Sequence, residues 1–315
     1  MSKPRQGKIL ARSSAQGQTT TVLMRSSFTH NRAVLVMVLV AFLWSTGGVV
    51  TRHLEAARSF EVTFWRSFFT LLSLLVILPY FKGRTVFTNI YGGDRMFWFS
   101  GLCWCAMFTF YMIALTLTSV ANVLVTLAIG PLVTALFARV FIGHKLPLRT
   151  WLAIFVAGLG IAWMFGSQVS GVQWIGTVVA LAVPFAGAAN WTLTQHAHAE
   201  GHDVDLVTAV LVGAFLSCLI TLPLALPLQA TMHDIALLAG LGLGQLAVPC
   251  VLSVICARIL KAPEVSLLAL LEVPFGILLA WLGANEAPSA TVMMGGLLVI
   301  GALVANELIA WRTRP

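Results

Sequence analysis

A chain of 315 residues that is 59% hydrophobic and only 10% charged cannot fold as a water-soluble domain, because its apolar interior would outgrow the polar surface available to cover it. Its formal charge of +8 sits mainly between and beyond the apolar stretches. That placement reads as a topology signal and a match to anionic lipid headgroups, not as a nucleic-acid footprint.

The first 32 residues are basic, rich in Ser, Thr, Gln and Gly, and contain no apolar run. They are expected to form a disordered tail. They do not read as a secretory leader, since the first apolar stretch is long enough to span and no small-residue cleavage site follows it. Met24 opens a shorter frame. Ten charge-poor stretches then follow at 33–51, 61–81, 96–116, 119–141, 149–166, 172–194, 206–227, 235–256, 263–282 and 290–310. A bilayer core requires about 20 apolar residues per helix, so the expected fold is an all-α integral membrane protein with ten transmembrane helices.

Lys and Arg fix the orientation. With a cytoplasmic amino terminus, the tail, the even-numbered connections and the carboxy terminus hold Lys3, Arg5, Lys8, Lys82, Arg84, Arg95, Lys145, Arg149, Arg258, Lys261, Arg312 and Arg314, among others. The opposite face holds only Arg52 and Arg58, while Arg66 and Arg139 fall inside stretches. The connection between the sixth and seventh stretches has neither residue type and gives no support. Both termini are expected in the cytoplasm of a bacterial-type inner membrane.

The ten stretches divide into two sets of five with related sequences. Ala114 to Leu136 lies over Ala257 to Leu279 without a gap, matching Leu117 with Leu260, Leu124 with Leu267, Leu127 with Leu270 and Pro131 with Pro274. Gly101 meets Gly244 at the same offset. Beyond the block the offset shortens by two, setting Pro147 against Pro288 and Gly160 against Gly301. Leucine matches are cheap in so apolar a chain, whereas paired prolines and glycines are informative. Because each half has an odd number of spans, the second half enters the membrane inverted.

Several segments carry a family resemblance. They are Trp44-Ser45-Thr46-Gly47-Gly48, Phe64-Trp65-Arg66, Ala114-Leu115 leading into Ser119, Ala257-Arg258, Ala262-Pro263-Glu264-Val265-Ser266-Leu267, Leu271-Glu272-Val273 and Asn285-Glu286-Ala287-Pro288-Ser289. Over residues 33 to 310 the chain resembles the EamA branch of the drug/metabolite transporter superfamily. The resemblance implies two five-helix EamA repeats, at 33–166 and 172–310, that rock around a cavity formed by helices 1, 3, 4, 6, 8 and 9. One departure is Gly143-His144-Lys145, where the family often places a Gly-Glu pair.

Physical chemistry points to the same places. Helices softened at corresponding positions of two halves mark a transport site, and Gly130-Pro131 and Val273-Pro274 meet that description. Proline deletes a backbone hydrogen bond and frees a carbonyl, which either bends the helix for packing or coordinates substrate. Glu272 lies near the middle of the ninth stretch, where a charge costs about 2.5–3.5 kcal/mol on insertion scales. Buried without a cation it stays protonated; beside an amine or an arginine it ionises. It is therefore a candidate proton relay or amine counter-ion, with an interhelical hydrogen bond as the structural alternative. Arg66, about five residues into the second stretch, is shallow enough to snorkel to the outer interface. A gating or structural role, pairing with Glu61 or another acid, and carboxylate binding are its readings.

Trp44, Tyr111, Asn122, Thr126, Asn190, Gln245 and Glu272 are the candidate substrate-binding residues, and Arg66, Pro131 and Pro274 the candidate gating positions. Ser45, Thr46 and Gln195 are further intramembrane polar groups, which staple helices as readily as they line a cavity. Trp104 and Trp191 could stack on substrate. His196, His198 and His202 with Glu200, Asp203 and Asp205 do not follow a zinc spacing and read as a solvated loop. Cys103, Cys105, Cys218, Cys250 and Cys256 form no CxxC pair and read as small core residues. No metal and no cofactor are expected.

The expectation is a secondary carrier, not an enzyme, for a small polar or amphipathic metabolite, with amino acids and their derivatives first and a proton as candidate coupling ion. Its partners are the small-molecule substrate and the lipid bilayer, with no nucleic acid, and its assembly stands open between monomer and homodimer. The chain has no GxxxxGK[ST] for ATP and no GxSG, GxGD or HExxH for intramembrane catalysis. A flippase for lipid-linked substrates, the alternative within the fold, predicts a cavity open sideways to lipid.

Overall fold

The computed structural model describes residues 29–83, 85–143, 147–166, 173–199, 206–257, 259–260, 265 and 268–312. Every regular element among them is helical: α1 (His30–Thr51), α2 (Ser59–Lys82), α3 (Thr85–Tyr91), α4 (Arg95–Leu117), α5 (Val120–Leu127), α6 (Gly130–Ile142), α7 (Leu148–Gly166), α8 (Gln173–Ala199), α9 (Leu206–Ala225), α10 (Met232–Gly240), a π-helical turn (Leu241–Ala247), α11 (Val248–Cys256), α12 (Glu272–Ala284) and α13 (Ala290–Arg312). Seven helical runs are long and apolar enough to cross a bilayer. Leu148–Gly160, Glu272–Ala284 and Ala290–Asn306 are apolar but shorter. Each predicted stretch overlaps one of these runs, the ninth only from Glu272 onward, with 263–264 and 266–267 outside the described residues. Their outward faces are apolar, with Leu35 69%, Val76 72%, Phe141 71% and Leu297 76% exposed. Such a surface is stable against lipid and unstable against water.

Three expectations need correction. The tail was expected to run through residue 32, but α1 begins at His30, and residues 1–28 lie outside the described residues. The single span expected at 119–141 is two helices separated at Ala128 and Ile129. Pro131 is therefore in the first turn of α6 rather than mid-helix, where its missing N–H leaves no intrahelical acceptor unsatisfied. Pro274 is likewise in the first turn of α12. The prolines within helices are Pro79, Pro184 and Pro223.

Between helices, small residues permit close approach. α4 packs against both α8 and α9. A Cβ added at Gly213 would lie 2.4 Å from Trp104 Cβ and 3.0 Å from the Cys105 nitrogen. Gly213→Ala is thus expected to lower stability by about 1–3 kcal/mol through overpacking. Thermal unfolding in detergent checks this against Gly240→Ala, whose added methyl meets nothing within 4 Å. Equal melting of the two variants would contradict it.

One face of the bundle is stitched by side chains. Arg52, just past α1, donates Nε to Glu286 Oε2 at 2.5 Å, Nη1 to the Leu115 carbonyl at 2.8 Å and Nη2 to the Thr118 carbonyl at 2.8 Å. Glu286 Oε1 accepts from the Val120 amide at 2.6 Å, at the start of α5. Asn285 ends α12 with φ of 53°, a left-handed turn that asparagine tolerates, and so brings Glu286 back to this point. On the same face Asp234 accepts the amides of Glu55, Ala56 and Ala57 at 2.8–3.0 Å, and Glu61 accepts those of Gln229 and Ala230. Asp234 lies with Glu55 and His233 in a group of potential metal-ligand atoms. Its oxygens are occupied by amide donors, which makes it a cap for the α1–α2 connection.

Candidate functional site: a central cavity with separated charges

The helix breaks and the π turn converge on a cavity of about 190 Å³ in the middle of the bundle. Its wall is drawn from α1, α2, α4, α5, α6, α8, the π turn, α11 and the residues entering α12. Most of it is apolar, with Trp44, Trp104, Trp191, Met107 and Phe108 contributing the large side chains. Trp104 and Trp191 meet edge to face with ring centroids 6.2 Å apart.

Arg66 is fully buried in this wall. It lies inside the bundle and not at the outer interface, with α4 and the π turn packed against its guanidinium. It makes no pair with Glu61, whose carboxylate holds the Gln229 and Ala230 amides. Instead Arg66 Nη1 donates to Gln245 Oε1 at 3.2 Å and Nη2 to the Phe108 carbonyl at 2.5 Å, with Cζ 5.7 Å from the Tyr111 ring centre. Gln245 completes the arrangement by donating Nε2 to the Trp44 carbonyl at 3.2 Å. The π turn carries Gln245, and the wider backbone spiral of a π turn changes which side chains face inward. Gly47 leaves the room this requires, since a Cβ there would stand 2.8 Å from Gln245 Nε2.

Glu272, the first residue of α12, lines the same cavity with its carboxyl beside the Tyr111 hydroxyl. Among the described residues no Lys or Arg forms an ion pair with it. Arg66 Nε and Trp104 Nε1 are buried in the wall without a hydrogen-bond partner among the described residues, while the Tyr111 hydroxyl stands beside the Glu272 carboxyl. Orphaned donors of this kind carry a desolvation cost of about 1–3 kcal/mol each. The cavity thus offers a guanidinium and a carboxylate that do not pair with each other, on an aromatic and aliphatic wall.

The candidate residues separate accordingly. Trp44, Tyr111, Gln245, Glu272, Arg66 and Pro131 line the cavity; Asn122, Thr126, Asn190 and Pro274 do not. Asn122 is fully buried and donates Nδ2 to the Thr118 and Thr177 hydroxyls, stapling α5 to α8. Thr126 donates to the Asn122 carbonyl, and Asn190 accepts from Ser100, which ties α8 to α4. Ser45 and Thr46 bond within α1. Thr134, Pro184, Gly187 and Cys250 belong to the wall but were not singled out as site residues from sequence. Cys250 was read as a core filler, and its mid-helix depth gave no sign of the cavity. The histidine-rich loop lies largely beyond reach, since Glu200, His202, Asp203 and Asp205 are outside the described residues, as are Ala262 to Glu264, Ser266 and Leu267.

Residues 31–166 match the EamA-like transporter family. That family belongs to the drug/metabolite transporter superfamily, and the seven helices that are long and apolar enough to cross a membrane among the described residues fit a multi-pass membrane protein. A solved structure titled only "Crystal structure of protein" superposes with a TM-score of 0.63 at 19% identity, covering 91% of this chain and 100% of that one. At that identity the likeness is one of fold, and it extends past the EamA-like region. No curated protein matches the sequence.

Proposed function

We propose that the EamA-like chain is an inner-membrane secondary carrier of a small amphipathic metabolite, an amino acid or a derivative, moved by alternating access with proton coupling through Glu272. In this reading all ten apolar runs span the membrane as two inverted five-helix repeats with both termini in the cytoplasm. The breaks before Pro131 and Pro274, which occupy matched positions in the two halves, support it.

The observation that carries the proposal is the separation of charge in the cavity. Arg66, with the Trp104 donor, suits a carboxylate; Glu272, beside Tyr111, suits an ammonium; the tryptophans and Met107 suit an apolar body. A volume of about 190 Å³ is below the range of about 300–1,000 Å³ typical of drug-sized ligand pockets, which favours a small metabolite over a lipid-linked one. With no amine bound, a proton on Glu272 neutralises it, so that substrate and proton compete for one carboxylate.

Reconstituted protein, offered a panel of labelled amino acids and vitamins with and without a pH gradient, tests this directly. Saturable uptake of a zwitterion, stimulated by the gradient, is the expected result. Uptake confined to substrates lacking either charge would overturn the zwitterion reading.

A further inference from the structure

Two glycines line the cavity: Gly130, which opens α6 at the helix break and whose added Cβ would meet only Pro184 Cβ at 4.0 Å, and Gly187, which lies inside α8. Gly47, which is outside the lining, is spatially required, as its Cβ would collide with Gln245. Gly187 is under no such constraint: an added Cβ would sit 3.5 Å from Met107 Sδ and 3.8 Å from Trp191 Nε1, both ordinary contacts. Both neighbours line the cavity, as Gly187 itself does. Further side-chain atoms would therefore extend between the sulfur and the indole, into the apolar end of the cavity. Gly187 also lies inside a helix, where glycine costs about 0.5–1 kcal/mol relative to alanine. Neither helix formation nor packing calls for a glycine here; the space it leaves is its one structural effect.

We propose that Gly187 is a specificity-determining position, which sets the largest apolar side chain the cavity accepts. The proposal rests on the carrier reading above for the identity of the substrate, but its size argument is independent of it. In a pocket of this kind one methylene more or less changes discrimination by about 10–200-fold. Gly187→Ala is expected to weaken tryptophan uptake more than alanine uptake; Gly187→Leu is expected to raise the ratio of tryptophan KM to alanine KM at least about tenfold.

Cys250, in the same wall, supplies a readout that needs no transport. In protein whose other four cysteines are replaced by alanine, its modification by a small methanethiosulfonate is compared with that by a naphthyl-sized reagent. Gly187→Leu should slow the bulky reagent at least about tenfold and leave the small one unaffected. Thermal unfolding verifies that the Ala and Leu variants remain folded. A bulky-to-small labelling ratio unchanged in folded Gly187→Leu overturns the proposal, and so does a shifted labelling ratio with an unchanged KM ratio. Shifted labelling with no amino-acid uptake by the unsubstituted protein would reject the carrier reading and support Gly187 as the position that limits cavity size.

Discussion

Glu272→Gln is expected to reduce gradient-driven uptake to the level seen without a gradient. Glutamine preserves the shape and can still hydrogen-bond the Tyr111 hydroxyl, but it neither ionises nor releases a proton. The carboxyl begins α12 and faces the cavity without a cationic partner among the described residues, so its counter-charge must come from substrate or proton. A hydrogen bond to a charged group contributes about 1.5–3 kcal/mol, which places the loss in amine affinity at roughly 10–150-fold. The measurement is uptake into liposomes with imposed pH differences, with KM determined in both directions. Exchange that survives the substitution with unchanged KM would make Glu272 a structural hydrogen bond and leave a facilitator driven by its substrate alone.

The second large effect is expected at Arg66. Its guanidinium holds the Phe108 carbonyl and the Gln245 amide while lying over Tyr111, three interactions that a planar fork makes at once. Arg66→Met strips a buried carbonyl and a buried amide of their donor, each at about 1–3 kcal/mol, and should lower the unfolding temperature as well as abolish uptake. Arg66→Lys keeps the charge but cannot reach both acceptors and present a further N–H to the cavity. It should fold better than the Met variant and still transport at least about tenfold less well. Unfolding in detergent and initial uptake rates separate the two effects. Wild-type KM in folded Arg66→Lys would remove carboxylate binding from its role and leave it a helix fastener.

Much of the fold was legible because its signal is apolar length, which the sequence states directly. Cavity residues such as Trp44, Tyr111, Gln245 and Glu272 were also within reach, as polar or aromatic groups at membrane depth. Rotation was not legible. A helix with apolar residues on every face has no periodicity to say which side faces a neighbour, so Asn122 and Asn190 could not be told from Gln245. Hydropathy also treats a broken helix and a continuous one alike. The hint lay in Gly130-Pro131, since proline favours the first turn of a helix over its interior. The π turn at 241–247 had only the Gly240-Leu-Gly-Leu-Gly244 alternation to announce it. The burial of Arg66 was not legible, because depth counted along α2 does not say that its side chain turns toward α4 and the π turn.

The Arg52–Glu286 knot bears on how readily that face could part in an alternating carrier. Every backbone group it holds is one that a helix end leaves unsatisfied: the Leu115 and Thr118 carbonyls finishing α4 and the Val120 amide beginning α5. Separation would hand each of them to water at the headgroup level, where an exposed hydrogen bond is exchanged for a hydrated one at a net difference of about 0.5–1.5 kcal/mol. The half-exposed ion pair adds at most about 1 kcal/mol. A fastening built this way is a clasp rather than a weld: specific in geometry, shallow in energy, and suited to being undone and remade in every turnover.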